Sequence, residues 1–372
     1  MKQRIILFLL VVVFVSMGWK MCAVAEDDKT FSVISLTESM AMSGGLEVEA
    51  GYSKDFSDTA NSDISLATME LAFEAQINEW FSVHALLLWE EDDTEPIDLD
   101  EGSINIGGNE TCPLYFTAGK IYIPFGLYES NMVSDPLTLE IGEMRESAIQ
   151  IGTEANGFYG SVYLFNGDVP EDSSDEDDHI ETFGANAGYT YKKDSVNFDV
   201  GFGYISNIID SDTFQDGFSE AQTEFMELNA NGFFGLKSYV AGIDVYAVIN
   251  YGPVCFIVEY VSALDDPEYN RNDGAGTSDV IKQDAPAAIH FEGAVTVPAF
   301  GDKNVTIAAT YQGTDNLAGA LPEGRIGVSA RVLLADNLCA GMEYVHDEDY
   351  DTKDGGTGET ADALTLQMAV GF

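Results

Sequence analysis

Basic residues are scarce. The chain of 372 residues holds 16 lysines and arginines against 64 acidic side chains, a formal net charge of −48. A surface of that sign repels a polyphosphate backbone, which excludes nucleic acid as a partner. Cysteine is almost absent: Cys22 lies in the leader described below, and Cys112, Cys255 and Cys339 form an odd set without C-x-x-C spacing. Neither a disulfide framework nor a structural zinc site is encoded. The four histidines, His84, His179, His290 and His346, show no serine-histidine or metalloprotease spacing. The expectation is a protein that is not an enzyme and carries no cofactor. Asp347, Asp349 and Asp351 begin like a calcium loop, but Thr352 and Gly358 stand where glycine and glutamate are required, so no metal site is expected. After the leader no apolar run reaches the roughly 20 residues a spanning helix needs. Yet hydrophobic residues make up 45% of the chain, too many for an acidic disordered protein.

The leader itself is legible. Lys2 and Arg4 precede an unbroken apolar run from Ile5 to Val15, and Ala23-Val24-Ala25 supplies a small-residue cleavage site. Residues 1–25 therefore read as a secretory signal, and residues 26–43 as a short periplasmic segment too small for a folded plug.

Beyond it, apolar and polar residues alternate strictly, the period of a strand with two unlike faces. Met69, Leu71, Phe73, Ala75 and Ile77 are interleaved with Glu70, Glu74 and Gln76. Leu364, Leu366, Met368, Val370 and Phe372 are interleaved with Thr365, Gln367, Ala369 and Gly371. About 16 such segments follow one another, joined alternately by short turns and by long acidic, glycine-rich loops. An even strand number, apolar-out and polar-in faces and that loop rhythm predict an all-β fold: a transmembrane antiparallel up-and-down β-barrel over residues 44–372, without a plug domain. Lipid satisfies no backbone hydrogen bond, so only a closed barrel can cross with strands. The setting is the outer membrane of a Gram-negative-type envelope, with lipid and lipopolysaccharide around the wall. The terminal Phe372 resembles the C-terminal signal read by the barrel-assembly machinery. Residues 207–238 fit no alternating segment and are taken as a loop.

The alternation also predicts the lumen. Glu70, Glu74, Glu90, Asp199, Asp244, Glu259, Glu292 and Glu343 fall on the inward face with His84 and His290, and Arg325 and Arg331 form the basic rib among them. Carboxylates around a narrow aqueous path favour cations.

One stretch breaks the pattern. "GKIYIPFGLYESNMVSDPLTLEIGE", residues 119–143, carries Pro124 and Pro136, which forbid an interior strand. Its Ile121, Ile123, Phe125, Leu127, Leu137, Leu139 and Ile141 are too apolar for a loop in water. Residues 120–146 are expected to fold back into the barrel and narrow it.

The same stretch resembles the LbtU family of outer-membrane siderophore porins, whose members share a GK-x-x-x-PFG and SDPLTLE-x-GE signature. It matches here at Lys120, Pro124, Phe125 and Gly126, then at Ser134, Asp135, Pro136, Glu140 and Glu143, with Arg145-Glu146-Ser147 following. The resemblance implies a 16-stranded barrel passing an iron–siderophore complex without an energy-coupling plug. That complex would be anionic, and Lys120, Arg145, Arg325 and Arg331 are the counter-charges expected to meet it. Sequence alone thus points to passive uptake of small solutes, with a ferric siderophore or related iron chelate as cargo. The alternatives are a general cation-selective diffusion porin, or a structural or adhesive surface barrel whose acidic loops bind cations.

Overall fold

The computed structural model describes residues 34–37, 39–91, 96–109, 112–169, 171, 179–228, 233–272, 278–299, 301 and 303–372. The expected signal, residues 1–25, lies outside the described residues. Along the chain run β1 (Ile34–Thr37), β2 (Met40–Lys54), β3 (Ala60–Gln76), β4 (Phe81–Trp89), β5 (Asp98–Asn109), β6 (Cys112–Tyr122), helix α1 (Leu137–Gly142) and β7 (Arg145–Ala155). Next come β8 (Phe158–Phe165), β9 (Thr182–Lys193), β10 (Val196–Ile205), helix α2 (Asp212–Leu228), β11 (Phe233–Leu236), β12 (Gly242–Tyr251), β13 (Val254–Ala263), β14 (Glu268–Asn272) and β15 (Ser278–Lys282). The last are β16 (Ala287–Pro298), β17 (Asn304–Asp315), β18 (Gly324–Ala335), β19 (Leu338–Glu348) and β20 (Thr360–Gly371).

Sixteen of these close on themselves in antiparallel order, β2 to β10, β12, β13 and β16 to β20, with β20 returning to β2. The seam is completed by Phe372, which exchanges backbone hydrogen bonds with Gly44 at 2.9 and 3.0 Å. Every wall strand coincides with an alternating segment of the sequence. The first begins at Met40, and β1 pairs with it, so the wall starts a few residues before position 44.

The usual burial rule is inverted. Met69, Phe202, Phe256, Ile307, Ile326 and Leu366 are exposed on the outside of the wall, whereas Glu74, His84, Glu259, Glu292 and Glu343 are buried inside it. That is the arrangement a hydrocarbon solvent imposes. Tyr52, Tyr260, Tyr311 and Tyr344 are exposed near strand ends, at the level of the interface. The turns at the Phe372 end are tight; Asn78 caps one through Trp80 N–H at 2.8 Å. The opposite end carries the long connections, although the first of them, Asp55 to Thr59, is as short as a turn because the Asp55 side chain accepts from Ser57 and Thr59 N–H.

The described residues of 207–238 stay out of the wall, but they form a folded cap rather than a plain loop. Helix α2 packs on β11 and on the loop helix α1, and β11, β14 and β15 form a separate three-stranded sheet. Phe218 of α2 packs on Phe234 and Tyr269, with ring centroids 5.6 and 6.1 Å away. The apolar core of the cap is continuous with Ile121, Ile123, Phe125, Ile141 and Met144 of the stretch that broke the alternation.

Because Leu366 faces lipid in mid-strand, Leu366→Arg is expected to destabilise the barrel by about 2–4 kcal/mol. Urea unfolding in lipid vesicles, followed by tryptophan fluorescence, measures it; an unchanged midpoint would place that face away from the hydrocarbon.

Candidate functional site: the inturned loop and the lumen wall

Strand β6 runs on to Tyr122, so Lys120 belongs to the wall and the loop proper is residues 123–144. It crosses the barrel and lies along β13 and β16 to β19. Its prolines act as predicted: Pro124 ends the strand, and Pro136 is the N-cap of α1, which packs on β13, β16 and β17. A loop entering a lumen brings backbone N–H groups that must find acceptors. The inward carboxylates provide them, one strand at a time.

Glu259 on β13 accepts from Leu127 N–H at 2.8 Å, Tyr128 N–H at 3.0 Å and Thr138 Oγ1 at 3.0 Å. Glu292 on β16 accepts from Ser130 Oγ at 2.8 Å and from Asn131 through both its backbone N–H, at 2.8 Å, and Nδ2, at 2.7 Å. Glu343 on β19 accepts from Val133 and Ser134 N–H, the latter at 3.1 Å. Gln312 on β17 takes Leu137 N–H at 2.6 Å. In the other direction, Ser329 and Arg331 of β18 donate to the Asn131 and Met132 carbonyls at 2.9 and 3.1 Å. Met132 and Leu127 pack on Val248, Ile257, Ala308 and Val345 of the inner wall. Residues 123–144 lie against the inner wall, and these bonds hold them there as a latch.

The signature glycines have a steric reason. Tyr128 has a left-handed backbone, φ 56°, and its ring lies against Gly126 and Gly142. A Cβ on either would collide with that ring. Gly203 of β10 makes the same kind of room for the Phe125 carbonyl.

The predicted basic residues are all engaged. Arg325 makes a two-pronged pair with Asp347 at 2.8 and 2.9 Å. Arg145 pairs with Asp100. Lys120 Nζ lies 3.2 Å from the Leu99 carbonyl and 3.5 Å from Asp98. Arg331 bridges the loop to Gln367 at 3.2 Å, and Gln367 donates in turn to Glu47 and Glu49 at 2.8 and 2.9 Å. Of the acids, Glu70 and Glu74 lie on β3, where Glu74 holds His84 of β4. Ser134, Pro136 and Phe125 are within the latch, Asp135 is exposed, and Glu140 lies 3.5 Å from Thr213 of α2.

Sequence reasoning missed Gln312, Ser329 and Gln367, which carry no charge, and the pair Asp100 and Glu101. The acidic run 90–101 leads straight into the wall, since β5 begins at Asp98. A bulge opposite Leu86 and Leu87 turns both Asp100 and Glu101 inward.

At the end of the loop, burial and the neighbouring Asp212, Asp135 and Asp100 carboxylates push the Glu143 carboxyl up to about 8. Burial likewise raises Asp212 to about 6. The Glu143 carbonyl accepts from Asp212 N–H at 3.0 Å, tying the loop to the cap.

This is the fold of an outer-membrane porin, and the protein resides in the outer membrane. No protein-family model matches the chain. It is 29% identical over 328 residues to a UPF0422 protein of Coxiella burnetii, covering 84% of this chain and 64% of that protein. To a UPF0422 protein of Legionella pneumophila it is 28% identical over 366 residues, covering 90% and 66%. The chain thus spans just under two thirds of the length of these relatives. Among solved structures it superposes on an anion-selective porin from Comamonas acidovorans with a TM-score of 0.58 at 10% identity, covering 90% of this chain and 99% of that one. It also superposes on the outer membrane channel DcaP of Acinetobacter baumannii with a TM-score of 0.55 at 12% identity, covering 90% and 97%. At such identities what is shared is the fold.

Glu292→Ala removes the acceptor for three loop donors, each worth about 1–3 kcal/mol when left buried and unpaired. Single-channel conductance in planar bilayers is expected to rise and become noisier, and to rise further when residues 127–141 are deleted. Unchanged conductance would place the loop outside the current path.

The Glu143 carboxyl gives the latch a pH dependence of known sign. The folded state keeps this proton to about pH 8, whereas an ordinary glutamate loses it near 4.5. The contribution is therefore complete below about 4.5 and is lost as pH rises towards 8. Conductance should climb over that interval and be flatter in Glu143→Gln; an identical slope in both proteins would assign the effect to other groups.

Proposed function

We propose that the protein is a passive diffusion porin whose lumen favours cations and whose bore is set by residues 123–144. It is a channel rather than an enzyme: the inward polar residues serve as acceptors for the loop or as wall charges. The observation that carries the reading is the latch of Glu259, Glu292 and Glu343 holding an inturned loop inside a closed barrel. The loop covers the wall from β13 to β19 and shares an apolar core with β7 and β8, so solute passes between it and the wall from β2 to β5. That opposite wall carries Glu47, Glu49, Glu70, Glu74 and Glu101, with Asp100 already paired to Arg145. The basic residues that would attract an anion are already paired with Asp98, Asp100 and Asp347 or spent on the loop carbonyl of Met132. Net negative potential in a narrow aqueous path concentrates cations and depletes anions.

A second reading is the ferric siderophore or related iron chelate that the LbtU-like signature suggests. What supports it is position: the signature residues 119–143 include the loop that narrows the bore, where selection among solutes would occur. A complex passing here would have to be neutral or cationic, or carry its charge past paired arginines.

Reversal potentials in a KCl gradient, combined with flux of a ferric polycarboxylate siderophore into proteoliposomes, separate the two. Strong cation selectivity without saturable siderophore flux is the expected result. Saturable flux that is lost on deleting residues 127–141 would favour the siderophore, and no conductance at all would sink both.

A further inference from the structure

On the wall facing the latched loop, one polar group is used by neither the loop nor the packing. His84 on β4 is 5% exposed, and its Nδ1 is held by Glu74 of β3. Its Nε2 faces Oε1 of Glu101 on β5 at 3.7 Å. Both atoms are buried and neither has a hydrogen-bond partner. The gap is too long for a hydrogen bond. It suits two ligands sharing one cation: bonds near 2.1 Å at a tetrahedral angle separate the donor atoms by about 3.4 Å. Glu74 completes the arrangement from behind, because a carboxylate on one imidazole nitrogen fixes the tautomer and turns the lone pair of the other outward. The bulge in β5 is what brings Glu101 to this position, and Asp100 beside it is occupied by Arg145.

We propose that His84 and Glu101 form a transit site for divalent first-row transition-metal ions, of the class of Zn2+ and Fe2+, in the lumen. This deepens the reading of the protein as a cation-favouring porin and rests on it for the word transit. Imidazole selects such ions over Mg2+ and Ca2+, which prefer oxygen alone. Among the described residues no three His, Cys, Asp or Glu side chains converge to hold a metal ion, so water completes the coordination. Two protein ligands bind weakly, and weak binding is what passage requires: an ion must enter the site and leave it.

Zn2+ titrated calorimetrically into the full chain refolded in detergent micelles tests the site directly. The wild type should show a binding phase that His84→Asn loses and that Glu101→Gln weakens by at least about tenfold. The external acidic loops are common to all three proteins, so isotherms that coincide overturn the proposal. Having two variants on different strands keeps the test decisive should one fail to refold. In planar bilayers Zn2+ should reduce the K+ current of the wild type and leave that of His84→Asn unaffected. Absence of K+ current in every protein would defeat the porin reading, while the isotherms would still decide whether the ion binds.

Discussion

Hydrocarbon offers no hydrogen bond to a peptide group, and the rest of this molecule depends on that constraint. Each wall strand must find partners on both sides, so the sheet closes, with Gly44 and Phe372 exchanging the last pair of bonds at the seam. Closure fixes two faces of unlike solvent. One must be apolar, and the other is left free to carry charge at close quarters. The acidity that would destabilise an ordinary core is accommodated here because the lumen is an aqueous interior.

The same constraint returns inside the barrel. Once residues 123–144 turn inward, their N–H groups leave bulk water and need acceptors. Carboxylates accept two or three bonds each and do so more strongly than neutral groups. Glu259, Glu292 and Glu343 on three different strands serve successive steps of the loop, which converts a flexible segment into part of the wall. Their charge is partly answered by these donors. On β2 and β5 carboxylates meet other side chains instead: Glu47 and Glu49 accept from Gln367, and Asp100 from Arg145.

Much of this was legible because strand period and lipid burial are local properties of the chain. All sixteen wall segments could be read from alternation, and two prolines among apolar side chains mark where residues 119–143 leave it. What could not be read depends on contacts far apart in sequence. That Glu259 would hold Tyr128, or Arg331 the Met132 carbonyl, follows from barrel stagger, and a single sequence does not display it. Asp100 and Glu101 were obscured for a different reason. One extra residue in β5 shifts the parity of the strand, so Asp98 to Glu101 resembles the acidic loop it adjoins. The segment 207–238 has neither period, and its packing comes from Phe218 and Phe234 meeting Tyr269 of a distant strand.

Reading the arginines by position alone would mistake their role. Arg325 and Arg331 do lie on one strand, as alternation requires, yet one is spent on Asp347 and the other on the loop. A charge counts towards selectivity only to the extent that its partner leaves it uncompensated. By that measure the basic rib offers little unpaired charge, although the fold is shared with an anion-selective porin. The fold decides where the path runs, and the pairing of each inward side chain decides which sign of solute can use it.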